Sequence, residues 1–72
     1  MSGPGAITLR VNGEDRSVPA GATVASVVAL LAPSPDGCAV ALNGEVVQRG
    51  AWAVQGLTDG DHIEILTAAP GG

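Results

Sequence analysis

The sequence predicts an α+β domain: a mixed sheet of four to five strands with one helix packed across one of its faces. Three observations carry that expectation. First, apolar and polar residues alternate with period two in Ile7, Leu9 and Val11 against Thr8 and Arg10, and again in Ile63 and Ile65 against His62 and Glu64, the pattern of half-buried strands. Second, Asn-Gly pairs at 12–13 and 43–44 follow such runs. That dipeptide tolerates the positive φ angles of a two-residue hairpin turn. Third, a single segment has helical spacing: Val24, Val27, Val28 and Leu31 fall at i, i+3, i+4 and i+7. One helix and a small sheet share a core only if the helix lies across one sheet face.

Taken in order, residues 1–5 read as a loose leader, 6–66 as the domain and 67–72 as a tail. The first strand holds Ile7 to Val11, and Arg16-Ser17-Val18 returns antiparallel after the Asn12-Gly13 turn. Pro19-Ala20-Gly21 ends it. Thr23 is placed as the helix N-cap, its hydroxyl able to accept a bond from a first-turn amide. Ser26 stands where an acid would complete a capping box, which predicts a weaker helix start. The valines are poor helix formers because their χ1 freedom is lost, so burial must stabilise this helix more than propensity does. Pro33 and Pro35 are expected to close it. Cys38, Val40 and Leu42 form the inward set of a third strand, and Glu45-Val46-Val47 a short fourth one beyond the Asn43-Gly44 turn. A single helical turn fits around Trp52. Asp59-Gly60-Asp61 is a turn before the last strand at 62–66. A right-handed crossover then sets the first and last strands side by side and parallel.

Seventy-two residues make one domain, close to the lower size limit for folding without disulfides or metal; about 60% of the unfolded surface is buried at this length. With no Phe or Tyr and one Trp, the core must be aliphatic. One Cys excludes an internal disulfide and fits a reducing cytoplasm. One His and one Cys cannot build a tetrahedral zinc site. The opening residues lack the basic and apolar regions of a signal peptide, and no apolar run approaches the ~20 residues of a membrane span. Three Arg, no Lys and seven acids give a net charge of −4, which argues against nucleic-acid binding and suits either ordinary solubility or, less readily, a basic protein partner. No phosphate-cradling glycine loop is present, since the glycines lie in turns and termini. A phosphate-binding site is therefore not expected within this chain.

Outside the helix-covered face, Ala39, Ala41 and Leu66 point to the open side of the sheet, a small, partly apolar surface that reads equally as a protein contact or as scattered exposed apolar residues. Other side chains have plainer readings. Cys38 sits on the inward register as a small buried hydrophobe, with no cationic neighbour in sequence to activate it. His62 is a surface strand residue, Trp52 plugs one end of the core, and Asp59 and Asp61 are solvated in their turn. Arg49 either orients a partner carboxylate or pins its own loop. No paired catalytic side chains emerge, so an enzyme in its own right is not expected.

The chain ends on Gly71-Gly72 after Thr67-Ala68-Ala69-Pro70. Two residues without Cβ form a thin strand able to thread a narrow channel, leaving a terminal carbonyl open to attack. Pro70 stiffens the approach and restricts Ala69.

The first hairpin, then Ala20-Gly21-Ala22-Thr23-Val24, then Val40-Ala41-Leu42-Asn43-Gly44-Glu45-Val46-Val47, Arg49 three residues before Trp52, Leu57-Thr58-Asp59-Gly60-Asp61-His62-Ile63-Glu64-Ile65 and the terminal Gly71-Gly72 together resemble the thiamine-biosynthesis sulfur carrier family (ThiS), from about Ile7 to the end. The resemblance implies a ubiquitin-like β-grasp fold and a sulfur carrier acting as a co-substrate. An E1-like adenylyltransferase (ThiF-like) using ATP and magnesium would activate Gly72, with Gly71 giving close passage. A sulfur donor protein would convert the adenylate to a thiocarboxylate, and thiazole synthase (ThiG-like) would take the sulfur. No cofactor would be bound by the chain itself. Leu66, Ala39, Ala41 and Pro70 are the expected partner-binding residues, and nucleic acid and membrane are not expected partners. The small subunit of molybdopterin synthase shares this chemistry, but its tail is typically more aromatic and proline-rich, and the Arg49 and Trp52 pair is more like the thiamine carrier. A ubiquitin-like interaction domain with an incidental diglycine is the competing class.

Overall fold

A computed structural model describes residues 5–32 and 36–67. Its elements are β1 (Ala6–Val11), β2 (Glu14–Pro19), α1 (Val24–Leu31), β3 (Cys38–Leu42), β4 (Glu45–Val47), a 3₁₀ turn (Arg49–Ala51) and β5 (His62–Thr67). The five strands form one sheet in the order β2-β1-β5-β3-β4. Both hairpins are antiparallel, and β1 and β5 run parallel at the centre, with Arg10 opposite His62 and Val11 opposite Ile63. The expected adjacency of first and last strands is what the sheet has. The last strand runs through Thr67, which pairs with Cys38.

Both hairpins turn where positive φ is required. Asn12 and Gly13 have φ of 51° and 85°, and Asn43 and Gly44 have 50° and 85°, so each pair fits the right-handed twist of its flanking strands.

Helix α1 covers the inner face. Val24, Val27 and Val28 are buried against Leu9, Val11, Val40, Ile63 and Ile65. Leu31, the fourth member of the expected stripe, is 37% exposed, since it lies in the last turn at the rim. Pro33 and Pro35, expected to close the helix, lie outside the described residues.

The helix start is stronger than the sequence suggested. Ser26 does complete a capping box: Thr23 N–H donates to Ser26 Oγ at 2.9 Å, and Ser26 N–H donates to Thr23 Oγ1 at 3.3 Å. A serine hydroxyl supplies the acceptor that an acid was expected to provide, and it also donates to the Thr23 carbonyl at 2.8 Å. The next two amides are met from the long connection between β4 and β5. Val24 N–H donates to Gln55 O and Ala25 N–H to Trp52 O, both at 3.0 Å. All four amides that a helix start leaves without an intrahelical partner are therefore satisfied. This terminus has no free donors to offer an anion.

Trp52 follows the 3₁₀ turn and is 4% exposed. Its indole N–H donates to Val47 O at 2.9 Å, so the large ring fills the end of the core without stranding a polar group.

Candidate functional site

Because the inner residues of each strand are buried, their neighbours define the open face. The register sets Ala39 opposite Leu66, and Ala41 opposite both Glu64 and Val46. Ala39, Ala41 and Leu66 thus share one surface, as expected from alternation. Leu66 is 67% exposed, and Val46 joins it at 75%. The sequence reading left Val46 out. Its signal was available, since it alternates with the half-buried Val47, but a strand of three residues gives alternation little to work on.

The open face is not uniform. On the β1–β2 side it carries Thr8, Arg10, Asp15 and Ser17, with Arg10 directly across from Asp15 and the two side chains 3.9 Å apart. On the β3–β4–β5 side the apolar residues gather, with Glu64 beside them. That apolar half lies around the end of β5, from which the chain continues to Gly71 and Gly72. Pro70, Gly71 and Gly72, the expected tail and reaction residues, lie outside the described residues.

Charge on the described surface is arranged to leave no basic patch. Arg10 pairs with Asp15, Arg16 with Glu14 at 3.5 Å, and Arg49 with Asp36 at 3.4 Å. These are exposed pairs, each contributing little to stability. Their effect is on surface potential: each cation has an acid beside it, which leaves acidic groups such as Glu45 and Glu64 to set the sign of the field.

The remaining residues have structural settings. Arg49 lies 5.1 Å from the centre of the Trp52 ring as well as beside Asp36, so of the two readings offered for it, the one that pins its own loop has these contacts. Cys38 is half-buried against the core, and His62 is exposed on β5. The two turn aspartates are not simply solvated, contrary to expectation. Asp59 accepts the Thr8 amide at 2.7 Å, and Asp61 accepts the Thr58 amide at 2.8 Å and the Asn43 side-chain amide at 3.1 Å. Carboxylates used this way fasten the connection to the sheet. Among the described residues, no three of His, Cys, Asp and Glu gather to hold a metal ion, and no helix is long and apolar enough to cross a membrane.

A five-stranded mixed sheet with one helix, an open apolar half-face and a diglycine beyond the last strand match one family in sequence as well. The ThiS family profile matches residues 9–72. The chain belongs to the ThiS family. The match covers nearly the whole domain and includes the terminal Gly71 and Gly72. ThiS proteins are small ubiquitin-like β-grasp proteins that carry sulfur. Two solved structures agree. The crystal structure of a thiamine biosynthesis protein (ThiS) from Geobacter metallireducens is 33% identical, covering 92% of this chain and 100% of that one with a TM-score of 0.77. A solution structure of a thiamine biosynthesis protein from the same organism is 32% identical, covering 92% of this chain and 88% of that one, with a TM-score of 0.75. Among curated proteins, none matches the chain in sequence.

Proposed function

We propose that this ThiS-family chain carries sulfur as a thiocarboxylate on Gly72 and delivers it for thiazole formation in thiamine biosynthesis. The Gly72 carboxylate attacks the α-phosphate of ATP on an E1-like, ThiF-like adenylyltransferase, forming an acyl-adenylate and releasing pyrophosphate. Sulfide-level sulfur released from a donor protein then attacks the acyl carbon, the bond from that carbon to the AMP oxygen breaks, and AMP leaves the thiocarboxylate behind. A carboxylate oxygen is a poor leaving group, which is the reason the acid must first be activated. The thiocarboxylate passes its sulfur to a ThiG-like thiazole synthase. ATP and magnesium belong to the activating enzyme; the chain acts in the cytoplasm as a protein co-substrate.

The observation that carries this reading is the place of the apolar half-face. Ala39 lies opposite Leu66 near the end of the strand that leads to the diglycine, and Ala41 and Val46 extend the same open face across β3 and β4. A partner held on that surface has the tail delivered beside it, with Pro70 stiffening the last step to Gly71 and Gly72. Docking and insertion together raise the local concentration of the terminal carboxylate at the reacting atoms. Family membership supplies the chemistry that such a terminus would undergo.

Intact-mass analysis after incubation with the adenylating partner, ATP and a sulfur source tests it. Exchange of one carboxyl oxygen for sulfur, mapped to Gly72, is the expected result. An unchanged mass with active partner and donor, or sulfur mapped to Cys38, defeats the proposal. Rescue of a thiamine auxotroph by the intact chain, and not by a chain lacking Gly72, places it in that pathway.

A further inference from the structure

We propose that Asn12 is a positioning residue for the C-terminal tail: its carboxamide replaces the strand that β5 lacks on one edge and so fixes the line along which the chain leaves the sheet. The functional consequence rests on the carrier reading above; the geometry does not.

β1 and β5 are paired only from Arg10–His62 to Val11–Ile63, because β1 ends in its hairpin turn while β5 runs on to Thr67. The last main-chain bond of that ladder is Asn12 N–H to Ile63 O, at 3.0 Å. The next groups on that edge belong to Ile65, whose side chain is in the core and 8% exposed. They are met by one side chain. Ile65 N–H donates to Asn12 Oδ1 at 2.9 Å, and Asn12 Nδ2 donates to Ile65 O at 3.1 Å. A carboxamide thus continues the ladder by one residue, past the point where the backbone has turned away.

The demand on residue 12 is narrow. It must accept a φ of 51° in the turn, and it must present a donor and an acceptor together on a short arm. Asp offers acceptors only when ionised, Ser is shorter and has one polar atom, and Gly has neither. Asn meets both conditions and is among the residues that tolerate this backbone region. Beyond Ile65, among the described residues, the strand is paired only with β3, through Ala39–Leu66 and Cys38–Thr67. Among the described residues Asn12 is therefore the last fastening of β5 on the β1 side, and it acts on Ile65, seven residues before Gly72.

Asn43 provides a matched control. It occupies the same position in the same kind of turn, at φ 50°, and its Oδ1 accepts the His62 amide at 2.9 Å. It therefore holds the opposite end of β5, away from the tail.

The test compares Asn12→Gly with Asn43→Gly, since glycine suits both turns and removes only the carboxamide. Amide exchange is followed along β5, and adenylation is measured with the activating enzyme and ATP. Asn12→Gly is expected to speed exchange at Ile65 about ten-fold, lower kcat for adenylation about ten-fold, and leave KM for the carrier within about three-fold. Asn43→Gly should leave adenylation within two-fold of wild type. Asn12→Asp keeps an acceptor for the Ile65 amide and loses the donor, so it should fall between Asn12→Gly and wild type and serves if Asn12→Gly does not fold. Adenylation by the Asn12 variants within two-fold of wild type overturns the proposal, as does an equal loss in Asn43→Gly. If wild type itself is not adenylated, the carrier reading fails, and exchange at Ile65 alone decides whether Asn12 fixes this strand end.

Discussion

Leu66→Ala separates docking from folding, because its side chain is large and the residue is mostly exposed among the described residues. Burying a whole leucine side chain is worth about 1.5–3 kcal/mol. Leu66 is 67% exposed, so roughly 1–2 kcal/mol remains to be gained when a partner covers it, most of which alanine forfeits. Binding to the activating enzyme should weaken about 5–30-fold. The same substitution should change unfolding free energy by no more than about 1 kcal/mol, the full span of strand preference. Calorimetric titration against the partner, with urea unfolding of the free chain in parallel, reads both quantities. Leu66→Arg should cost more affinity, since it sets a charge among Ala39, Ala41 and Val46. Unchanged affinity for both variants would remove this face from the docking surface and the reasoning with it. A loss of several kcal/mol of stability would show that Leu66 is packed in the folded chain.

Substitutions at four further positions test how the domain is built. Ile63 is fully buried at the centre of the sheet, so Ile63→Ala should lower the unfolding free energy by about 2–5 kcal/mol, a large part of what a chain of this size has; urea or thermal unfolding measures it. Trp52→Phe keeps a large ring and removes the 2.9 Å bond to Val47 O, so a loss of about 1 kcal/mol is expected in the same assay, well short of the ~3–5 kcal/mol for Trp52→Ala. Thr23→Ala removes one arm of the capping box and should cost about 1 kcal/mol. Ser26→Ala removes the reciprocal bond at 2.9 Å and should also destabilise the helix; a neutral result there would mean the serine contributes nothing to the cap.

The strands were legible because each announces itself locally. Asn12-Gly13 and Asn43-Gly44 need positive φ, and the alternation on either side decides which face each residue takes. That reasoning placed Ala39, Ala41 and Leu66 together without knowledge of the register. It failed where an element is too short to show a period, as at Val46, and where a polar side chain acts at long range. Asp59 meets Thr8 and Asn12 meets Ile65 across separations of 51 and 53 residues. Nothing local distinguishes an aspartate that will fasten a loop from one in water. The helix start failed for a different reason: the pattern sought an acid at residue 26, whereas the hydrogen bond requires only an acceptor within reach of the Thr23 amide.

These long-range bonds share a physical cause. A chain this short buries only about 60% of its unfolded surface, and its core has one ring among aliphatic side chains. Apolar packing alone then leaves strand ends and connections loosely held. Polar residues that turn the chain are already ordered by the turn, so using them again as fasteners costs little further conformational entropy. Asn12 and Asn43 each form a turn and hold one end of β5; Asp61 closes its own loop on Thr58 and holds the Asn43 amide. The fasteners converge on the two ends of the strand that carries Leu66 and leads to the diglycine. If the body presents a reactive terminus as proposed, that strand is the one whose direction matters most, and a variant with an equally stable core but a loose end to β5 should dock as well and react more slowly.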